Sequence, residues 1–294
     1  MINNNEVNRM KKYYANLLLV FVTIIWGGGF LATDGALDAF SPFYIMMIRF
    51  VGAAIFPVLF CFKKLKNLTK REVCQGLLAG LFLFLAFAFQ TFGLKYSTPS
   101  KNAFLTATNV VFVPYLLWLL WKRKPHKKEI IASITCLIGI ALLTLNKQSL
   151  SMSLGDLLSL ACALFFALHI ITLERFGSNM DAIVLTALQM ICAGVLSTIC
   201  ALIFEVPPQT VNASAIGNVL YLIFISTLLA YLIQTYAQKF TTANTASLIL
   251  SMEALFASLF SYLFLHEILT PMMMIGACFI FGSVIYIEYK PKAS

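Results

Sequence analysis

The chain has 294 residues, 60% of them hydrophobic and 11% charged, with a mean hydropathy of +0.87 and a formal net charge of +9. A soluble surface needs roughly a quarter charged residues, so this chain cannot cover a globule with polar groups and reads as an all-α integral membrane protein. Ten spans of about 20 residues each would use most of its length, which leaves no room for a soluble ATPase, kinase or nucleic-acid-binding domain.

The tail from Met1 to Tyr14 is polar. The apolar run Ala15–Thr33 is longer than a signal-peptide core and lacks a clear A-x-A cleavage site, so it reads as a retained first span. Nine further runs follow as spans 2 to 10: Pro42–Phe62, Val73–Tyr96, Pro99–Trp121, Glu129–Asn146, Gly155–Phe176, Ala182–Phe204, Ala215–Phe240, Ala243–Leu265 and Pro271–Tyr289. Barrel strands alternate apolar and polar residues over about ten positions, whereas these runs are apolar on all sides for about twenty. The seven cysteines lie in or beside the runs and form no CxxC pair, so they read as small apolar residues rather than a metal site or a disulfide framework.

The Lys/Arg bias of the loops sets the expected orientation. With the N-terminus in the cytoplasm, seventeen of the 21 Lys and Arg residues fall in inside segments, among them Lys63 to Arg71 and Lys122 to Lys128. Only Lys95, Lys101 and Lys147 fall outside, and Arg49 lies within a span. Both termini are therefore expected in the cytoplasm and an even span count follows. The same bias explains the basic balance with no nucleic-acid partner.

The chain also repeats itself. Gln90-Thr91-Phe92-Gly93-Leu94-Lys95-Tyr96-Ser97-Thr98 closes span 3, and Gln234-Thr235-Tyr236-Ala237-Gln238-Lys239-Phe240-Thr241-Thr242 closes span 8, at an offset of 144. That offset also aligns Phe112 with Phe256 and Trp118 with Tyr262, while an offset of 140 aligns Arg49-Phe50 with Gln189-Met190 and Ala53 with Ala193. Each repeat holds five spans, residues 15–146 and 155–289. Five is odd, so the second copy enters the membrane from the opposite side and the halves form an inverted repeat. Such a pair has two near-equivalent states around a midplane site, which points to a transporter.

Several segments resemble the ten-helix EamA branch of the drug/metabolite transporter superfamily. Trp26-Gly27-Gly28-Gly29-Phe30 is similar to its first-helix signature and Arg49-Phe50 to the R-F pair of the second helix. Gly93-Leu94-Lys95-Tyr96 followed by Ala103-Phe104-Leu105 resembles its third-to-fourth helix junction. Glu267-Ile268-Leu269-Thr270-Pro271 resembles the G-E-P-L-T turn before the last helix, with His266 in place of the usual glycine and Ile268 in place of the proline. The resemblance covers nearly the whole chain. It implies a secondary transporter, often an exporter of amino acids or other metabolites, with helices 1, 3, 4, 6, 8 and 9 around a central cavity.

Seven residues are candidates for substrate binding or coupling. Glu253 falls near the middle of span 9, where an ionised group costs several kcal/mol unless paired or hydrated. That penalty falls on the charged form, which suits a proton-coupling carboxylate and equally a structural one bonded to a neighbouring helix. Its repeat mate is Asn109. Arg49 lies about 10 Å into span 2 at 1.5 Å per residue. It could bind a substrate carboxylate, but a second helix expected at the periphery favours a structural or gating pair. His169, deep in span 6, is a relay candidate or a satisfied core residue. Gln90 and Gln234 are related by the repeat and could line a cavity or bond between helices. Trp26, before Gly27–Gly29, suits close helix approach with its ring toward a cavity.

Enzyme motifs fail. His266-Glu267 begins an HExxH, but Thr270 stands at the second histidine position; Ser153-Leu154-Gly155-Asp156 lacks the first glycine of GxGD; and no G-K-[ST] occurs. The expectation is a multi-pass secondary transporter of the inner, cytoplasmic membrane, not an enzyme, moving small metabolites such as amino acids by alternating access, with protons as candidate coupling ions. No cofactor or metal is expected, and a monomer is compatible with the sequence. The alternative is a membrane-embedded enzyme or sensor acting on a lipid or small molecule.

Overall fold

The computed structural model describes residues 4–144, 153–266, 268 and 270–289. Among these residues every regular element is helical: α1 (Asn4–Leu37), α2 (Pro42–Leu65), α3 (Lys70–Lys95), α4 (Pro99–Ala107), α5 (Asn109–Trp121), α6 (Lys127–Thr144), α7 (Leu154–Gly177), α8 (Ala182–Phe204), α9 (Ala213–Tyr221), a π-helical segment Leu222–Leu229, α10 (Ala230–Ala237), α11 (Ala243–Leu250), α12 (Glu253–Leu265) and α13 (Pro271–Glu288). Asn146, Lys147, Glu267, Leu269, Lys290 and Lys292 lie outside the described residues. The expected tail is helical from Asn4, so α1 runs unbroken from the polar end into span 1. Nine spans among the described residues are long and apolar enough to cross a membrane. The helix α6, with Lys127, Lys128 and Glu129 in its first turn, is the tenth.

The packing keeps its pattern when each span is exchanged with the one five places on. Span 2 lies along span 7, span 5 along span 10, and span 4 against span 9. Span 3 packs on span 6 as span 8 packs on span 1, and span 1 meets span 9 as span 6 meets span 4. With five spans per half, this is the inverted two-repeat fold.

Local structure follows the same offsets. Thr98 and Thr242, which end the repeated nonapeptide, each cap a helix: their hydroxyls accept from Lys101 N at 3.4 Å and Thr245 N at 3.3 Å. The helices α5 and α12 stop at Lys122 and His266, whose φ values of 58° and 57° are left-handed. Glycine adopts that conformation without strain, so the position where the resemblance expects a glycine is left-handed here although His266 fills it.

Spans 4 and 9 break at matching places. Thr108 Oγ1 donates to Leu105 O at 2.6 Å and Ser251 Oγ to Leu248 O at 2.7 Å. Around them the backbone tightens to Thr108 N→Leu105 O and Met252 N→Ile249 O contacts of 3.2 and 3.0 Å. Hydroxyl back-bonding of this kind competes with the helical ladder. After each break a half-helix begins, α5 at Asn109 and α12 at Glu253. Span 8 is interrupted differently, by its π-helical segment, an irregularity common at functional sites.

Polar clasps hold the ends. At the end carrying the termini, Lys64 Nζ meets Asp181 Oδ2 at 2.6 Å, and Asp181 Oδ1 accepts from Ile183 N at the start of α8. At the opposite end Glu205, just past α8, accepts from Ser41 Oγ, Phe43 N and Tyr44 N at the start of α2. Lys101 of α4 and Asp156 of α7 form a further pair there, at 2.7 Å.

Candidate functional site

A narrow cavity lies at the centre of the bundle, beside the breaks in spans 4 and 9. Its wall is built from repeat mates. Phe87 and Tyr231, 144 apart, meet edge-to-face with ring centres 5.9 Å apart. Gln90 and Gln234 line it from spans 3 and 8, and Asn109 and Glu253 from the starts of α5 and α12. At the offset of 140, Trp26 matches Phe166 and Phe30 matches Ile170. Spans 1, 3, 4, 6, 8 and 9 all contribute, as the family resemblance implied, and span 2 adds Arg49.

Six of the seven candidate residues therefore share one cavity. Glu253 is buried at 5% exposure, and no described side chain or backbone group hydrogen-bonds its carboxylate. Asn109 donates from Nδ2 to Thr106 O at 3.0 Å, while its Oδ1 is buried with no partner. Gln234 Oε1 and the Tyr231 hydroxyl are likewise buried and unpartnered. Gln90 reaches Thr106 Oγ1 at 3.4 Å. Trp26 donates from Nε1 to Ser226 O at 3.0 Å, inside the π-helical segment, and its ring tilts against Tyr231 at 5.1 Å. Buried polar atoms are normally satisfied, so this set of open acceptors marks a place for a polar ligand or water.

His169 lies one layer behind the cavity. It is fully buried, and its Nε2 meets Gln189 Oε1 at 2.7 Å. The Gln189 amide nitrogen donates to Leu185 O and Thr235 Oγ1, so Oε1 is the acceptor and His169 Nε2 the donor. The ring stands edge-on to Tyr231 at 5.9 Å. Its Nδ1 is buried without a partner among the described residues, and the ring is one contact removed from the cavity.

Arg49 departs from the peripheral position expected for span 2. It is 4% exposed, and its Nη2 donates to Ser226 Oγ at 3.0 Å. Its Nε donates to Thr227 Oγ1. The guanidinium lies over the Phe87 ring, 4.2 Å from its centre. Gly29 makes room for this cluster, because a Cβ there would fall 2.7 Å from Ser226 Oγ. Tyr231, Phe87, Phe166 and Ser226 were not singled out from the sequence. The 140 and 144 offsets would have found the first three, since each is the mate of another wall residue.

The EamA-like transporter family model matches the chain twice, at residues 13–145 and 153–289. The chain belongs to this family. A transporter of Archaeoglobus fulgidus, described as uncharacterized, is 33% identical over 96% of this chain and 88% of its own length. Protein PecM of Dickeya dadantii is 26% identical over 91% of this chain and 90% of its own. A solved crystal structure covers 93% of this chain and 97% of its own with a TM-score of 0.77 at 17% identity, a likeness of fold. This EamA-family protein is thus a multi-pass membrane transporter and not an enzyme.

Proposed function

We propose that this transporter moves small metabolites, amino acids among them, across the cytoplasmic membrane as an exporter working by alternating access, with both termini in the cytoplasm. The observation that carries the reading is the central cavity: repeat mates form its wall, two interrupted helices flank it, and Glu253 enters it without a partner. Inverted repeats place solute sites at such interrupted helices near the midplane. The Lys/Arg-rich segments at the end carrying the termini support the orientation.

Glu253 is the coupling residue in this scheme. Its carboxyl group accepts a proton in one state and releases it in the other, and the solute competes for the same space. Substrate uptake into proteoliposomes at several pH values tests this. Glu253→Gln is nearly isosteric and cannot titrate, so gradient-driven accumulation should vanish while exchange persists in part. Wild-type pH dependence in Glu253→Gln refutes the proton-carrier role. Glu253→Ala separates the structural alternative, which predicts a loss of thermal stability that Glu253→Gln does not share.

A further inference from the structure

We infer that Arg49 is the anchor for an oxyanion on the transported solute, and that this chain selects solutes bearing a single carboxylate. The inference rests on the cavity being the transport site. Three of the guanidinium's features support it.

First, Arg49 is buried and lines the cavity, yet no carboxylate among the described residues lies within ion-pair distance of it. Its polar partners are the two hydroxyls of Ser226 and Thr227, which bear no charge. A buried cation without an anion is strongly unfavourable. Glu253 does not compensate it, since the two form no ion pair. The missing negative charge is one that a solute can bring.

Second, the orientation is fixed and one arm is open. Nε and Nη2 are held by hydroxyls on the π-helical segment, and the guanidinium plane rests on Phe87. Nη1 bonds to no described residue. A locked guanidinium with a free N–H edge matches a planar carboxylate.

Third, the charge count sets valence. Among the cavity's lining residues Arg49 is the one cation and Glu253 the one acid. A monovalent carboxylate neutralises Arg49, whereas a phosphate monoester would bring excess negative charge into a water-poor space that already holds Glu253. Beside the amides of Gln90, Asn109 and Gln234 the wall has an aromatic part, from Trp26, Phe166 and Tyr231, which suits an apolar body on the same solute.

The assignment breaks the repeat in a specific way. The mate of Arg49 is Gln189, which is taken up by His169 and Thr235 and does not line the cavity. One half supplies the anion anchor, and the other half has no equivalent.

The test uses solute pairs that differ only in the charge of one group: isovalerate against isovaleramide, and L-leucine against L-leucinamide. The chain has three tryptophans. Replacing Trp118 and Trp121 with Phe leaves Trp26, in the cavity wall, as the fluorescent reporter in the purified protein. The acid of at least one pair should bind about tenfold or more tighter than its amide, the scale of one charge-assisted hydrogen bond. Arg49→Gln should erase that ratio, and Arg49→Lys, which keeps the charge without the fork, should retain a reduced preference. Equal binding of acid and amide, binding by neither member of either pair, or an acid preference that survives Arg49→Gln overturns the assignment. The wild-type comparison decides even if the variants fail to fold. Uptake of the same pairs into proteoliposomes separates the two readings: saturable movement of amides but not acids would refute the anchor and keep the transporter, and acid binding without movement would do the reverse.

Discussion

Gly27 sits where α1 crosses α12, and the space there is too small for a methyl group. A Cβ on Gly27 would lie 2.6 Å from Phe256 Cβ, 2.8 Å from its carbonyl carbon and 2.9 Å from Ala257 N. Non-bonded carbons rest at about 3.5–4.0 Å, so Gly27→Ala must part the two helices by about 1 Å. Over-packing of this kind costs about 1–3 kcal/mol, and alanine's better helix propensity returns up to about 1 kcal/mol. The net expectation is a loss of about 1–2 kcal/mol. Two other glycines calibrate it. Gly28 faces the Tyr221 hydroxyl at 2.8 Å, a side-chain tip that can swing aside by giving up its bond to Ile25 O. Gly282 has nothing within 4 Å of its Cβ position, so alanine there only gains. Thermal unfolding of the purified variants should rank Gly282→Ala at or above wild type, then Gly28→Ala, then Gly27→Ala. Wild-type stability in Gly27→Ala would refute the packing argued here. Phe256 lies three residues beyond Glu253, so the same displacement should lower transport.

Three further outcomes follow from the ends of the bundle. Asp156→Asn removes the ion pair with Lys101, and labelling of a cysteine at Thr33 by an impermeant thiol reagent should speed up severalfold in a background without native cysteines; an unchanged rate counts against a closing role for the pair. The Lys64 ammonium, by its hydrogen bond, holds the Asp181 carboxyl below the usual carboxylate range, with the backbone N–H groups of Ile183 and Val184 assisting against burial. Its contribution to stability is complete above about pH 4 and fades as pH falls through the lowered folded value, so Asp181→Asn, which still caps α8, should flatten the acid limb of the melting-temperature profile; an unaltered limb refutes this. A cysteine at Lys124 should resist impermeant reagents in intact cells, and labelling from outside would reverse the proposed orientation.

The ten helices were legible because twenty-residue apolar runs have few alternatives in a membrane. The register of the repeat was legible because Gln90 and Gln234 are polar residues in apolar runs and stand out. Interruptions were harder to see. Thr108 and Ser251 break their helices through hydroxyl bonds that compete only weakly with the ladder, and hydroxyl residues also sit inside unbroken helices here, such as Thr172 and Ser197. The position of Arg49 was illegible for another reason. Its cavity contact depends on the π-helical segment, which presents Ser226 and Thr227 to it, and no residue in Leu222–Leu229 signals a π turn. His169 shows another case, where Gln189, twenty positions away, takes the Nε2 of a chemically attractive residue and turns it from the cavity, leaving Nδ1 buried without a partner.

The mate pairs also locate what sets the preferred state. Under alternating access, a wall of Phe87 with Tyr231, Gln90 with Gln234 and Trp26 with Phe166 offers a solute similar surroundings whichever end is open. A ligand with equal affinity for two states shifts neither, so such a wall contributes little bias of its own. Arg49 and Glu253 have neutral mates, Gln189 and Asn109, and are the charged exceptions in the wall; in the proposed scheme they act on the charge of the solute or on a proton. The contacts that differ most between the two ends are outside the cavity. Lys101 and Asp156 bind α4 to α7, while their mates Thr245 and Asn16, where α11 meets α1, carry no charge, and Asn16 Oδ1 is buried without a partner. The end carrying the termini is held by other contacts, the ion pairs of Lys64 with Asp181 and of Arg123 with Glu129 and Glu174 and the apolar packing around Ala15, Ala243 and Ala246, so each end is closed by its own set of residues. If Arg49 selects the solute and the end contacts hold the cavity closed, the two tasks fall to different residues, and substitutions at Lys101 should change rates of opening while leaving the acid-over-amide ratio expected from Arg49 intact.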